Sequence, residues 1–558
     1  MDSQRLILFF VFSFSVFMLV DAWQRDQMPP PAPVAADKDK GGKAAPGVPT
    51  PSAAQVPVPG SKSAVPQPGV PRQEPRAAEP ERTLRVETDL FVARISSRGG
   101  DLRHLQFKKH SDTLDRKKDF ALLENTPERT YIAQTGLIGQ GLPNHHTVFQ
   151  AGAESYQLAD GQDRLEVRLT APAADGVQVT KVYRFQRASY QIDVSYEIAN
   201  KGAAAIDTHA YFQLVRDGKP PVGDSAMLPT FTGMAVYTEK EKFQKFTFEE
   251  VAKGKTSYPK HGNDGWIAII QHYFFSAWLP KVGTPREFYT RRLEENLYSA
   301  GVIVPVATVA PGASATVSVP LYAGPQEQEK LEKIAPGLEL TIDYGWLTVI
   351  AVPLFWLLSL FNQWTGNWGV AIILLTVVIK LLFYPLSAAS YRSMAKMRVL
   401  APKLQRLKDQ YGDDRQRLQQ AMMDLYKTEK INPLGGCMPI LVQIPVFIAL
   451  YWVLLASVEL RHAPFMLWID DLAVPDPWFI LPILMAVTMW IQTSLNPEPP
   501  DPVQAKVMKI MPIVFSIFFF FFPAGLVLYW LVNNVLSIAQ QWQITRAMER
   551  ESTAARKH

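Results

Sequence analysis

The chain has 558 residues, a length that would suit roughly three or four soluble domains, but only 20% of its residues are charged and 47% are hydrophobic, with 13 Trp and 30 Phe. The net charge of +5 is too small to favour a protein that holds nucleic acid through bulk phosphate contacts. The single cysteine, Cys437, excludes an intramolecular disulfide framework and a zinc site built from cysteines.

The first segment is typical of membrane targeting. Leu6–Val20 is apolar apart from two serines. Such a segment is short for a spanning helix, and its removal after Ala22 as a signal peptide is the alternative. Asp21 is a poor neighbour for a cleavage site and Trp23 resembles an interfacial anchor. We therefore predict a retained transmembrane anchor over residues 1–25.

Residues 26–82 are predicted to form a disordered linker. The segment is rich in Pro and Ala, and no aromatic residue occurs between Gln24 and Leu90. Such a composition cannot bury enough apolar surface to offset the entropy of ordering the chain. It therefore predicts a spacer between the anchor and the next domain.

Residues 83–325 contain many short runs in which apolar and polar residues alternate. This period of two predicts strands of a large antiparallel β-sandwich. Because the segment lies between membrane segments, the sandwich is predicted to be exported. The clearest runs are Leu84–Glu87, Leu165–Leu169, Tyr190–Tyr196 and Ala313–Leu321. His145 and His146 are interpreted as surface residues rather than metal ligands, because no third ligand is spaced near them.

The remainder of the chain is rich in apolar segments. Residues 326–365 are predicted to form connecting and interfacial amphipathic helices, with a spanning helix at Trp346–Phe361 as the alternative. The core, residues 366–545, is predicted to contain five membrane helices, one for each of five apolar runs, and the N-terminal anchor makes six. These runs are Trp368–Leu386, Met438–Val458, Phe479–Ile491, Ile510–Phe522 and Leu526–Ile538.

The charged loops predict the orientation of these helices. Ten basic and five acidic residues lie between Tyr391 and Asn432, and the tail over 546–558 is also basic. An excess of Lys and Arg marks cytoplasmic loops, so both termini are predicted to be cytoplasmic and the β-domain to be exported. Apolar residues recur at helical spacing around Leu404 and Met422, which predicts a cytoplasmic helical hairpin over 390–432. The basic residues of this hairpin either form a solvated face that fixes the membrane orientation or form a docking surface for the ribosome, a targeting factor or anionic lipid.

Lys380 is the most informative residue of the membrane region. It follows Trp368 by 12 residues, or about 18 Å along a helix, and no Asp or Glu lies in the apolar runs around it. A charge at this depth is costly and usually faces a wet cavity or a partner. Thr376 and Tyr384 are predicted to share its helical face. Snorkelling of the ammonium to the cytoplasmic headgroups is the alternative.

Other predicted helices carry amides, hydroxyls and aromatic residues. Polar residues of this kind often join helices together, but beside an unpaired lysine they indicate a hydrophilic recess. The candidates for the recess are Gln443, Tyr529 and Asn533, and the candidates for an apolar surface beside it are Phe447, Phe518 and Phe519.

Several motifs carry a family resemblance. They are Tyr384–Leu386, Met394–Arg398, Asn432–Cys437 with Pro439, Gln443 and Pro445, Ser457–Arg461, and Phe522–Tyr529. With the anchor, the proline-rich linker and the exported sandwich, the chain resembles the Gram-negative type of the YidC/Oxa/Alb family of membrane protein insertases over its whole length.

The resemblance implies a fold: a polytopic α-helical membrane protein with a five-helix core, an N-terminal anchor and a large all-β periplasmic sandwich in the bacterial inner membrane. It also implies a groove open to the cytoplasm and the lipid and closed outward. Lys380 occupies the place of the family's groove arginine, Thr376 that of a substrate-contacting threonine, and Trp530 that of an aromatic residue that is often tyrosine.

The implied function is that of a non-enzymatic membrane protein insertase and folding chaperone, with no cofactor and no metal. Its expected partners are nascent membrane proteins, the lipid bilayer, the Sec translocon (SecYEG, SecDF), and the ribosome and signal recognition particle receptor, with no specific nucleic acid. Two alternatives are a polytopic transporter that uses Lys380 as an anion site and an exported carbohydrate-acting enzyme with a membrane anchor.

Overall fold

The computed structural model describes residues 81–223, 230–411, 414–429, 438–495 and 502–555. The predicted anchor, nearly all of the predicted linker and the motif Asn432–Cys437 lie outside the described residues. The chain divides into two compact units, a β-rich unit that ends at Ile342 and a helical unit that starts at Asp343. Each unit is described by itself.

Within the residues that the structure describes, the β-rich unit has two sheets and two short α-helices. Its strands are β1 (Thr83–Glu87), β2 (Phe91–Ser96), β3 (Leu102–Ser111), β4 (Asp119–Asn125), β5 (Thr130–Ile138), β6 (Gln150–Ala151), β7 (Ser155–Gln157), β8 (Arg164–Thr170), β9 (Val177–Gln186), β10 (Gln191–Asn200), β11 (His209–Asp217), β12 (Gly233–Thr238), β13 (Lys242–Phe246), β14 (His261–Gly262), β15 (Trp266–Gln271), β16 (Phe274–Trp278), β17 (Arg286–Glu294), β18 (Leu297–Pro305) and β19 (Ser314–Pro325). The helices are α1 (Phe248–Ala252) and α2 (Gln328–Ile334).

The strands pair almost entirely antiparallel. One sheet has the order β14-β17-β18-β11-β5-β4-β3-β2-β1-β7 and the other the order β13-β12-β15-β16-β19-β10-β9-β8-β6. The alternating runs predicted from the sequence fall on β1, β8, β10 and β19. The predicted β-sandwich is therefore confirmed.

The core lies between the two sheets. Phe212 on β11 packs against Trp278 on β16, with ring centroids 5.2 Å apart, and the Tyr131 hydroxyl on β5 donates to the Ile269 carbonyl on β15 at 3.2 Å. Strands β8 and β1, each second from the edge of its sheet, alternate exposed and buried residues, whereas β15 and β16 are buried throughout. A period of two therefore reveals the outer strands, and the central strands appear as continuous apolar runs.

His145 corrects the surface interpretation of the histidine pair. Its side chain is 1% exposed, and its ring Nδ1 lies in hydrogen-bond contact with the Tyr211 hydroxyl. His146, in contrast, is exposed. Tyr211 comes from β11, so a contact across 66 positions of the chain buries His145. Local spacing carries no sign of such a partner.

A buried polar layer crosses the same sandwich. Asp101 accepts a hydrogen bond from Gln134 Nε2 at 3.0 Å, and Lys181 Nζ donates to the Gly99 carbonyl at 3.0 Å. Burial raises the pKa of Asp101 to about 7 and lowers the pKa of Lys181 to about 8. Each charged form is penalised by desolvation, and each lies in the field of the other.

Arg286, at the start of β17, joins two loops of the β-rich unit through hydrogen bonds of its side chain. Its guanidinium is 2% exposed and donates to the carbonyls of Thr284, Gly265, Pro280, Asn263 and Lys281. Arg286→Ala leaves several of these carbonyls without a donor, at roughly 1–3 kcal/mol for each group that stays buried. We expect a loss of several kcal/mol of unfolding free energy, measured as earlier proteolysis of the β-rich unit on heating. Arg292→Ala, at an exposed position of the same strand, β17, is the control and should shift the transition little.

The helical unit contains the elements predicted for the membrane. They are α3 (Thr348–Thr365), α4 (Trp368–Leu382), α5 (Tyr384–Tyr411), α6 (Arg415–Thr428), α7 (Met438–Ala456), α8 (Ile480–Ser494), α9 (Pro502–Phe518) and α10 (Ala524–Ala555). Among the described residues, the stretch Gly345–Thr365 is long and apolar enough to cross a membrane, and α4 would be so together with the first part of α5 across a bend of 66°. α7, α8 and α9 contain shorter apolar helical stretches.

Helix α3 has two unlike sides. Ala351, Phe355 and Leu358 are buried, whereas Trp356 and Trp364 are mostly exposed. Its length satisfies the requirement for a span and its tryptophans suit an interface. Its interfacial location stays a prediction.

Two predicted spans are shorter than expected. The helix predicted to reach Leu386 ends at Leu382, because Pro385 has no N–H to donate to Leu381 and its ring would meet that carbonyl. The helix predicted to reach Phe522 ends at Phe518, before a turn that leads to Pro523 and α10. The predicted end of each helix was wrong by four residues.

The charged segment after the bend forms two packed helices. Leu400 and Leu404 on α5 are buried and contact Met422 and Leu425 on α6. The Asp414 side chain accepts from the Arg417 N–H at 3.1 Å and caps the second helix. This packing agrees with the predicted hairpin stripes.

Candidate functional site

Lys380 lies inside the helical unit. It is 6% exposed, and its Nζ donates to Ser537 Oγ on α10 at 2.7 Å. Among the residues that the structure describes, no carboxylate forms an ion pair with it. Hydrogen bonding in the interior favours the recess interpretation over snorkelling to the headgroups.

Thr376 lies one helical turn before Lys380 on α4. Its side chain is fully buried, and its hydroxyl donates to the Ile372 carbonyl at 2.7 Å. This bond satisfies the hydroxyl proton while the oxygen keeps acceptor capacity. The predicted shared face of Thr376 and Lys380 is present in the structure.

A second polar contact joins α7 to α10. Gln443 Nε2 donates to Asn533 Oδ1 at 2.6 Å. The Ser537 hydroxyl donates to the Asn533 carbonyl at 2.7 Å, so Lys380, Ser537, Asn533 and Gln443 form a continuous polar chain across α4, α10 and α7. We call these four residues the polar chain.

Tyr529 lies one turn before Asn533 on the same helix. It is 1% exposed, and its hydroxyl is buried beside the Gln443 amide without a well-formed hydrogen bond among the described residues. A phenol in this position extends the polar surface by one turn along α10.

The predicted apolar residues meet the polar chain at α10. The Phe447 ring packs on Trp530 with centroids 4.3 Å apart and on Tyr529 at 6.1 Å. Phe519 is 4% exposed and contacts Trp530 at 5.2 Å, whereas Phe518 is 46% exposed. The structure therefore brings Phe447, Phe519 and Trp530 together and places Phe518 at the surface.

Tyr384 does not share a helix with Lys380. It begins α5, after the bend, and is 37% exposed. The predicted placement four residues along one continuous helix was wrong, because Pro385 interrupts that helix. Its role in the groove stays a prediction.

Ser537 and Tyr391 lie at the site but are not among the residues predicted for the recess from the sequence. Ser537 was recognisable as part of the polar stripe one turn after Asn533. Tyr391 lies on α5 and its hydroxyl interacts with Ser537. The bend between α4 and α5 changes the helical register, so spacing from Lys380 could not reveal Tyr391.

Comparison with known proteins follows the same division into two units. Residues 83–357 match the family described as "YidC periplasmic domain", and residues 360–551 match the family described as "60Kd inner membrane protein".

Similar chains share nearly the full length. A relative from Nitrosospira multiformis named "Membrane protein insertase YidC" is 59% identical, with 98% of each chain covered. Relatives of the same name from Methylobacillus flagellatus and Aromatoleum aromaticum are 58% and 56% identical, and the matches cover 99% and 100% of this chain and 98% and 100% of theirs. Identity at this level over the whole length shows that the chain belongs to the YidC family of membrane protein insertases.

Proposed function

We propose that this chain inserts nascent membrane proteins, receiving a hydrophobic segment and its flank at the polar chain and releasing the segment sideways into lipid. The observation that carries this proposal is the buried ammonium of Lys380, which donates a hydrogen bond to the neutral Ser537 hydroxyl. A charge held by a neutral partner remains available to an acidic client group.

The polar chain replaces part of the hydration that a client flank loses. Lys380 offers a charge, and Thr376, Gln443 and Asn533 offer hydroxyl and amide groups at neighbouring turns. These groups shorten the apolar distance that a polar flank must cross. Phe447 and Trp530 border the polar chain and begin the apolar path by which the hydrophobic segment leaves.

The process needs no enzymatic step. Partitioning of Leu, Ile, Phe and Val into the bilayer contributes roughly 0.3–0.6 kcal/mol per residue. The membrane potential contributes about 2.3 kcal/mol per charge per 100 mV. Both contributions have the sign that insertion requires, so the chain acts as an insertase and chaperone without a cofactor.

The charge pattern supports one orientation in the inner membrane. The α5–α6 hairpin carries exposed basic residues such as Arg406 and Arg417, and this charge supports a cytoplasmic location for the hairpin and for both termini. The β-rich unit is then periplasmic. The basic hairpin suits docking of the ribosome or the signal recognition particle receptor, and the Sec translocon (SecYEG, SecDF) is proposed as a partner for larger clients.

The two alternatives are not favoured. The relatives that match this chain from end to end carry the insertase name. A transporter or an anchored carbohydrate-acting enzyme would have to differ in function from relatives that share more than half of its residues.

The β-rich unit is expected to be largely dispensable for insertion, because the polar chain and the hairpin lie in the helical unit. A deletion of Thr83–Gly324 that joins the preceding segment to the Glu327 region should support growth of a strain depleted of its own insertase. The deleted protein must be present at normal level and in the correct orientation. If it is, and client insertion stops, the assignment of insertion to the helical unit is wrong.

Reconstitution tests the function directly. The purified full chain in liposomes, without Sec components, should insert a short single-span client so that its flank becomes protected from added protease. Empty liposomes give the background. Protection equal to that background, with a chain that retains its fold, would contradict the proposal.

A further inference from the structure

The loop between α7 and α8, residues 457–479, contacts the beginnings of three helices. The Asn367 side chain at the start of α4 donates to the Phe465 carbonyl at 2.7 Å. The N–H groups of Ala524 and Gly525 at the start of α10 donate to the carbonyls of Val474 and Leu472 at 2.8 and 2.9 Å. We call this segment the α7–α8 loop.

Asp476 joins the same loop to α8. It is 1% exposed and accepts hydrogen bonds from the Trp468 indole at 3.0 Å, the Trp478 N–H at 3.0 Å and the Leu481 N–H at 2.8 Å. Leu481 lies in the first turn of α8, where N–H groups have no partner within the helix. Asp476 therefore fixes both the loop and the start of α8.

A second buried carboxylate closes the loop on itself. Asp471 is 3% exposed and accepts from the backbone N–H groups of His462 and Ala473 and contacts the His462 ring at 2.9 Å. His462, Leu467 and Phe479 all have positive φ angles. Positive φ is uncommon for non-glycine residues, above all for bulky ones such as Leu and Phe, and it persists where the surrounding structure stabilises it.

Close packing fills the space beneath the loop. A Cβ atom on Gly369, at the start of α4, would lie 2.0 Å from the Phe465 ring. A Cβ atom on Gly525 would lie 3.1 Å from the Leu472 carbonyl. The loop thus lies directly on the backbones of α4 and α10, the two helices that carry Lys380 and Ser537.

We infer that the α7–α8 loop is the seal of the helical bundle at the end away from the basic hairpin, and that Asp476 is the positioning residue that holds it closed. A polar recess that accepts client flanks from one side requires a barrier on the other side, or ions and water would pass. The loop supplies that barrier by binding the starts of α4, α8 and α10 at one end. This inference rests on the proposed function, because that function assigns the loop to the periplasmic side.

The side chains at the loop surface agree with that location. Leu467 and Trp478 are 83% and 67% exposed, and the Trp468 and Trp478 rings stack 6.3 Å apart. Exposed apolar residues with tryptophans are typical of the membrane interface.

Cysteine labelling from the periplasmic side tests the seal. In a Cys437→Ser background, Leu375→Cys places a thiol at a fully buried position of α4, between the loop and Lys380. A membrane-impermeant maleimide added outside should not label it in the otherwise unchanged chain. Asp476→Asn replaces a carboxylate oxygen by an amide that cannot accept from the Leu481 N–H, so the labelling rate should rise at least tenfold.

Asp470→Asn is the matched control, because Asp470 is exposed in the same loop, and it should leave labelling unchanged. Asp476→Glu keeps the carboxylate and should restore part of the protection. Unchanged labelling of Leu375→Cys in Asp476→Asn would overturn the seal. Equal rates in Asp476→Asn and Asp470→Asn would do the same.

Two further readouts separate the possible causes. Thermal unfolding in detergent identifies general loss of structure, and faster labelling of Leu375→Cys only in variants that unfold early would overturn the positioning role. Leu467→Cys reports orientation: labelling from the cytoplasmic side alone would overturn the proposed topology. Labelling of Leu467→Cys from outside, with Leu375→Cys protected in Asp476→Asn, would overturn the seal and leave the topology intact.

Discussion

Lys380→Glu is expected to give the largest loss of insertion among substitutions of the polar chain. An acidic client group about 4 Å from the ammonium gains about 1 kcal/mol in water and about 4 kcal/mol at an effective dielectric constant of 20. Lys380→Ala removes this attraction and should slow insertion of a client with one acidic residue roughly tenfold, since 1.4 kcal/mol corresponds to a factor of ten. Lys380→Glu replaces attraction by repulsion and should slow insertion roughly a hundredfold.

Charge-conserving and neutral variants separate this effect from packing. Lys380→Arg keeps the charge and should stay within about threefold of the unchanged chain. Lys380→Met keeps the apolar stem and should behave like Lys380→Ala. Insertion is measured at equal protein level with clients that carry zero, one and two acidic residues in the translocated flank. A defect in Lys380→Ala that does not depend on client charge would reject the electrostatic role.

Leu404→Asp is expected to have the second large effect, through the hairpin. Leu404 is 6% exposed in a cluster with Leu400, Met422 and Leu425. Removal of a buried leucine together with burial of an unpaired carboxylate costs roughly 3 kcal/mol or more. Helix α6 should detach from α5, so trypsin should cleave the basic hairpin faster and client insertion should fall severalfold while the membrane helices remain in place.

Met423→Asp is the control for this substitution. Met423 is 50% exposed on the same helix as Met422. The substitution therefore introduces the same charge as Leu404→Asp without breaking the cluster. Insertion at the normal rate by Leu404→Asp would show that the hairpin packing matters little. Leu407 lies one turn after Leu404 on α5, but it is only half-buried and lies outside the cluster.

The sequence predicted best where a local pattern determines the structure. Alternation located β1 and β8, and helical spacing placed Leu404 against Met422 and Thr376 beside Lys380. These features depend only on the geometry of one strand or helix and on which of its residues share the apolar face.

Contacts between distant segments were not predictable in this way. His145 was interpreted as a surface residue because its partner, Tyr211, lies 66 positions away in the sequence. Tyr384 was placed on the wrong helix because the effect of Pro385 was not weighed against a continuous apolar run. The buried role of Asp476 depends on N–H groups of a loop and a helix start, and such groups leave no trace in hydropathy.

The candidate site on α4 and α10 depends both on local sequence patterns and on contacts between distant segments. Lys380 was recognisable as a costly charge, and Asn533 as part of a polar stripe. Ser537 became its partner only through the packing of α4 on α10. The chain of hydrogen bonds that continues to Gln443 requires three helices and could not be derived from any one of them.

Photo-crosslinking from Thr376 to a stalled nascent membrane protein tests the central claim most directly. A photoreactive residue at Thr376 should form an adduct with the client's hydrophobic segment or its flank, and Gln443 should give a second adduct from the opposite helix. Val378, which is 38% exposed on another face of α4, is the control and should give a weaker adduct. Strong adducts at Thr376 and Gln443 are the expected result. An insertion-competent chain that crosslinks its client from Val378 but from neither Thr376 nor Gln443 would contradict the account.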